Sequence, residues 1–129
     1  NSMLNRKIVL AVTLIVLTLA ANANVVGIDW NEQGRYTNVA VIEPAGFLEV
    51  CGPLQQGKVI DWSFQATAGL DFNIHYHEGD EVVYPAKQKD TAELAAQLEV
   101  PLDQTYCWMW SNQADGSATI NLELRQAGD

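Results

Sequence analysis

Two histidines, His75 and His77, are the residues whose type and spacing point most directly to chemistry. They lie two apart in an alternating segment, so in a β-strand both imidazoles project from the same face. Two imidazoles placed in this way can chelate Zn²⁺ or Cu²⁺, with Glu78, Asp80 or Met109 as weaker candidates for a further ligand. A tight site needs three or four ligands. We therefore prefer a solvated polar strand face that ends in an acidic turn, and expect no cofactor, with copper or zinc as the alternative.

Motifs for catalysis are absent from the sequence. It contains no serine-centred nucleophile motif, phosphate loop or dinucleotide fingerprint. Asp80 and Glu81 are adjacent, and neighbours in a strand point to opposite faces, whereas the carboxylates of a glycosidase face each other across a cleft. We predict no catalytic residues and a protein that is not an enzyme.

Aromatic side chains supply the remaining binding chemistry. Trp62, Tyr106, Trp108 and Trp110 fall on rows that alternate with other residues, so a buried core explains them better than a carbohydrate or peptide platform. Trp30 lies outside any such row. It is the weak candidate for an exposed aromatic contact with a partner.

The N-terminal segment has the three parts of a secretory signal. Residues 1–2 precede the first methionine and are interpreted as a cloning remnant, and residues 3–23 as a helical signal peptide. Arg6 and Lys7 form its basic part, an apolar run follows, and an Ala-Asn-Ala sequence ends at Ala23. Cleavage there predicts a periplasmic or secreted chain with no membrane insertion. The alternative is an uncleaved N-terminal anchor.

Charge narrows the range of partners. The whole chain has a net charge of −9, and removal of residues 3–23 leaves five basic against 16 acidic residues, a net charge of −11. A domain this acidic repels phosphate backbones and anionic lipid heads. We predict no nucleic acid partner. The oligomeric state is left open.

Two cysteines, Cys51 and Cys107, complete the set of reactive side chains. After export they enter an oxidising compartment, where a pair normally forms a disulfide. The alternatives are two free buried thiols or a shared metal. We predict the disulfide.

Alternation of apolar and polar residues predicts short strands through most of the chain, separated by turn residues such as Gly52-Pro53 and Ala68-Gly69. Residues 24–45 are predicted to be a lead-in with the first strand. Thr91–Val100 is rich in Ala and Leu, which favours a helix by propensity, with a strand that buries Leu94 and Leu98 as the alternative. The pattern predicts one all-β domain, a jelly-roll-like antiparallel β-sandwich behind the signal peptide helix. The remaining strand candidates are Val39–Glu43, Gly46–Cys51, Lys58–Thr67, Leu70–His77, Glu81–Tyr84, Thr105–Ser111 and Ala118–Arg125.

The segment from Cys51 to Arg125 resembles a GOLD (Golgi dynamics) domain, the luminal β-sandwich of secretory-pathway cargo receptors. The resemblance rests on the strand order and on residues 104–112, where the family has an aromatic–Cys–aromatic–Ser/Asn run. It implies a GOLD-like domain over residues 46–129, a pairing of Cys51 with Cys107, and an expectation of protein binding. The printed sequence ends at Asp129, without the coiled coil, membrane span and tail of the cargo receptors, so their trafficking role is not transferred.

These observations predict a non-catalytic exported GOLD-like β-sandwich that acts as a protein-interaction module in the periplasm, with an unknown protein partner. The alternative is a periplasmic copper- or zinc-binding protein that uses the pair His75 and His77.

Overall fold

The computed structural model describes residues 9–15 and 23–128. In these ranges the chain is all-β, as predicted, and no helix there is long and apolar enough to cross a membrane. Residues 9–15 of the predicted leader are exposed and have no regular secondary structure. Ala23, the last residue of the predicted leader, begins a strand, and the leader's remaining residues lie outside the described ones. The strands are β1 (Ala23–Gly27), β2 (Arg35–Ile42), β3 (Phe47–Leu54), β4 (Val59–Glu78), β5 (Glu81–Glu99), β6 (Gln104–Ser111) and β7 (Ala118–Gln126).

One long strand, β4, builds the two-layered shape. Its first half pairs with β7 and its second half with β6, and both halves pair with β5. The Phe64 and Phe72 rings lie 5.0 Å apart, although eight residues of straight strand span about 27 Å. The sheet therefore folds back on itself at the middle of β4. The strand order is β1-β3-β6-β4-β7-β2, and all neighbours are antiparallel except β1 and β3.

The bend in β4 replaces the turn predicted at Ala68-Gly69. Register shifts between Gln65 and Leu70 let the strand change direction without leaving the sheet. A Cβ on Gly69 would lie 2.0 Å from a side-chain oxygen of Asp90, so a larger residue there would have to displace that carboxylate where β5 crosses the bend. The prediction of a turn was wrong because a glycine inside a strand also marks a close approach of backbones.

For Thr91–Val100 the strand alternative is correct: residues up to Glu99 form the end of β5, because pairing with the first half of β4 overrides helix propensity. Leu98 is buried and Leu94 half-buried, as that alternative expected. The prediction of a turn at Gly52-Pro53 was wrong, because both residues lie inside β3 and face β6. The predicted lead-in is also more ordered than expected, since most of β1 and all of β2 lie within residues 24–45.

The inward rows of the two layers form the core. Trp62, Tyr106, Trp108 and Trp110 are buried there, which confirms the core interpretation of these aromatics. Phe72 links the layers, with its ring 4.9 Å from Trp62 and 5.5 Å from Trp110. The outward rows carry the polar side chains considered below.

Candidate functional site

His75 is buried on the outer face of the second layer, the layer made by β1, β3, β6 and the second half of β4. Only 6% of its surface is exposed. Its Nε2 lies 3.0 Å from Oε1 of Glu49, and its Nδ1 lies 2.7 Å from Oδ1 of Asn73. The Tyr84 ring, 6.0 Å away, covers it from β5. The expectation that this histidine faces solvent was therefore wrong.

The surroundings of His75 favour its neutral form. Burial lowers the pKa of its imidazole, the attraction of Glu49 opposes that shift, and the nearby His77 adds to it. A neutral ring can donate its Nε2–H to Glu49. Its Nδ1 can then accept from the amide of Asn73, in the carboxamide orientation with oxygen and nitrogen exchanged. Both ring nitrogens are thus engaged within the protein.

His77 differs from His75 in exposure. The structure brings the two imidazoles together, with ring centroids 5.4 Å apart, but His77 faces solvent. Glu78 and Asp80, the weaker ligand candidates, are exposed at the turn that joins β4 to β5, and Glu78 points to the opposite face from His77. A chelate made by the two histidines stays a prediction, and it requires His75 to exchange a hydrogen bond for the metal.

The predicted disulfide between Cys51 and Cys107 is present. The two residues are direct partners in the pairing of β3 with β6, with Cα atoms 4.1 Å apart. His75 is the direct partner of Cys107 on the other side, so the disulfide and the imidazole lie side by side on one face. Cys107 is buried and Cys51 half-buried.

Glu49 is the residue of this cluster that sequence reasoning missed. Its place two residues before Cys51 indicates the face on which it lies. The partner of its carboxylate depends on the register of β3 with β6 and of β6 with β4. No local signal in the sequence contains that information.

Trp30 lies at one end of the sandwich, half-buried against the edge of the core. It lines two open depressions of about 640 and 380 Å³, which share Trp30, Lys58 and Gln126 and together form what we call the Trp30 groove. The first depression is also lined by Pro53, Leu54, Gln55, Ile60, Asp103, Gln104 and Thr105, and the second by residues 31–34 and 127–128.

The loop that carries Trp30 is held by specific hydrogen bonds. Oδ1 of Asn31 accepts the backbone N–H groups of Gln33 and Arg35, at 3.0 and 2.9 Å. On the other side of Trp30, the N–H of Ile28 donates to the carbonyl of Cys51 at 2.8 Å. The indole is therefore presented by an ordered loop.

Comparisons with known proteins identify the fold and no family. No family model matches the chain, and no curated protein matches its sequence. Aeromonas hydrophila PliG, a periplasmic inhibitor of g-type lysozyme, aligns with 84% of this chain and 100% of its own, at 10% identity and a TM-score of 0.64. Salmonella Typhimurium PliG aligns over 81% and 99%, at 12% identity and 0.56. The pre-peptidase C-terminal domain of Bacillus anthracis collagenase aligns over 85% and 99%, at 16% identity and 0.55.

These likenesses show a shared fold, and the fold occurs in an inhibitor and in a domain of a collagenase. They confirm the all-β architecture. The resemblance to GOLD domains rests on the sequence pattern and stays a prediction.

Proposed function

We propose that this chain is an exported, non-catalytic protein-interaction module that binds a basic protein through the Trp30 groove. The observation that carries the proposal is the half-buried indole of Trp30, which lines both open depressions and lies on a loop fixed by Asn31. Tryptophan is enriched among the residues that dominate binding energy at interfaces. An ordered loop loses little conformational entropy when it binds.

Charge supports a basic partner. The chain carries 16 acidic against seven basic residues. Asp29, Glu32 and Asp103 place exposed carboxylates on the loops around the Trp30 groove. Such an excess steers a cationic protein to the surface and penalises acidic ones.

Export is supported by the disulfide, because cysteine pairs persist in oxidising compartments. It is also supported by the likeness to PliG, which is periplasmic. PliG inhibits g-type lysozyme, so a g-type lysozyme is the first partner to test with this chain.

The test is calorimetric titration of a g-type lysozyme with the purified protein, together with an assay of lysozyme activity on cell walls. We expect binding that weakens as salt is added. The Trp30→Ala variant should bind at least about tenfold more weakly. The matched control is Tyr84→Ala, which removes an exposed aromatic side chain from the second layer and should leave binding unchanged. Absence of binding at micromolar concentrations, or equal losses in both variants, would overturn the proposal.

A further inference from the structure

Six side chains with metal-ligand or hydrogen-bonding atoms share the outer face of β3, β6 and β4. They form two adjacent rows across the strands. Cys51, Cys107 and His75 are direct partners in one row, and Glu49, Met109 and Asn73 in the next. Directly paired residues, and residues two apart in a strand, project from the same face, so both rows point the same way.

Distances within this cluster suit a metal ion. A carboxylate oxygen of Glu49 and the sulfurs of Cys51 and Cys107 all lie within 4.8 Å of one another. Oε1 of Glu49 also lies 3.0 Å from Nε2 of His75. In a tetrahedral zinc site with Zn–S bonds of 2.3 Å, two sulfurs are about 3.8 Å apart. His75 lies outside the set of three residues that meets the 4.8 Å distance, so a four-donor site requires its imidazole, which already contacts Glu49, to move towards the sulfurs once they separate.

We propose that reduction of the Cys51–Cys107 disulfide converts this cluster into a zinc site, with the two thiolates, His75 and Glu49 as its four ligands. A dithiol reductant supplies the two electrons and two protons. The S–S bond breaks, each cysteine becomes a thiol, and the reductant is oxidised to its own disulfide. Zn²⁺ then displaces both thiol protons.

The disulfide and the zinc site exclude each other. While the sulfurs are bonded to one another, His75 and Glu49 are the two donors left, fewer than a tight zinc site needs. Bound zinc in turn holds both thiolates and prevents them from forming the disulfide again. Cys51 is half-buried, which leaves a path for the reductant and the ion, whereas His75 and Cys107 are buried.

The first test is titration of the protein with Zn²⁺ in its oxidised form and after reduction by a non-chelating phosphine and removal of the excess. Co²⁺ serves as an optical probe, because tetrahedral cobalt bound to thiolates absorbs in the visible and near ultraviolet. We expect one Zn²⁺ per reduced chain, bound at least about 100-fold more tightly than by the oxidised chain. Equal affinities, or cobalt spectra without thiolate bands, would overturn the proposal.

Variants identify the ligands. His75→Ala and Glu49→Gln should each lower zinc affinity of the reduced chain at least about tenfold. His77→Ala is the matched control, since His77 is exposed, is not among the four proposed ligands and should be dispensable. Unchanged affinity in His75→Ala, or an equal loss in His77→Ala, would contradict the assignment and favour other donors.

The proposal of a zinc site can still be tested if the chain unfolds on reduction. Far-ultraviolet circular dichroism reports the sheet of the reduced chain with and without zinc. If the reduced chain unfolds, zinc should restore the sheet in the wild type and fail to do so in His75→Ala. Zinc bound by a chain that stays unfolded would overturn the proposal.

Discussion

The outer faces of the two layers carry charge in different ways. On the first layer, made by β2, β7 and the first half of β4, Arg35 and Glu123 pair at 3.0 Å with side chains 51% and 43% exposed, and Arg125 pairs with Asp61 beside them. On the second layer, His75 and Glu49 pair at the same distance with side chains 8% and 19% exposed. The strand β4 contributes to both faces, through Asp61 and His75.

Burial changes how much a contact between polar side chains contributes to stability: Arg35 and Glu123 form an exposed ion pair, whereas His75, whose neutral form is favoured, contacts Glu49 in a buried site. In an exposed ion pair, each side chain gives up contacts with water for the contact with its partner, so the net gain in unfolding free energy is small. A buried donor or acceptor that loses its partner retains the full cost of its desolvation. Changes on the second layer should therefore lower stability more than matched changes on the first.

Removal of the disulfide should have the largest effect. It closes a segment of 56 residues and ties β3 to β6 on the second layer. The chain-entropy treatment gives about 4 kcal/mol for a loop of this length. We expect the double variant Cys51→Ala/Cys107→Ala to lose about 2–5 kcal/mol of unfolding free energy, measured by urea denaturation at neutral pH. A loss below about 1 kcal/mol would show that the second layer does not depend on this link.

Local alternation predicted much of the fold. The inward rows of β6 and β7 and the core tryptophans follow directly from it, and the disulfide was predicted from the cysteine pair together with the signal-like N-terminal segment. The bend in β4 could not be predicted, because Ala68-Gly69 has the same composition as a turn. The sequence left residues 91–99 open between helix and strand, because their strand conformation comes from pairing with β4, far away in sequence.

The sequence predicted the candidate sites only in part, again because pairing between distant strands decides their contacts. His75 and Trp30 were identified by type and position. The burial of His75 depends on Glu49, which is 26 residues away and reaches it across β6. The Trp30 groove is assembled from loops between different strands. Such contacts depend on strand register, which local sequence patterns do not contain.

Loss of the Glu49 carboxylate should have the second largest effect. In Glu49→Ala, the buried Nε2 of His75 loses its partner, at a cost of about 1–3 kcal/mol. Glu49→Gln is the matched variant, because its amide oxygen can still accept the Nε2–H and the loss should be smaller. Urea denaturation of both proteins tests the expectation. Equal losses in the two variants would show that the carboxylate charge, and not the hydrogen bond, matters here.

The smallest effect should come from the exposed pair on the first layer. Arg35 bonds to Glu123 but is also the direct cross-strand partner of Arg125, so its removal relieves one like-charge contact as it breaks an ion pair. We expect Arg35→Ala to lose less than about 1 kcal/mol at low salt. The loss of unfolding free energy in Arg35→Ala should vanish in 1 M NaCl, where the Debye length is about 3 Å. Glu49→Ala should keep its loss of unfolding free energy in the same salt, because burial shields the contact between Glu49 and His75 from ions in the wild type. If salt reduced both losses of unfolding free energy alike, a difference in exposure would not explain why the two faces affect stability differently.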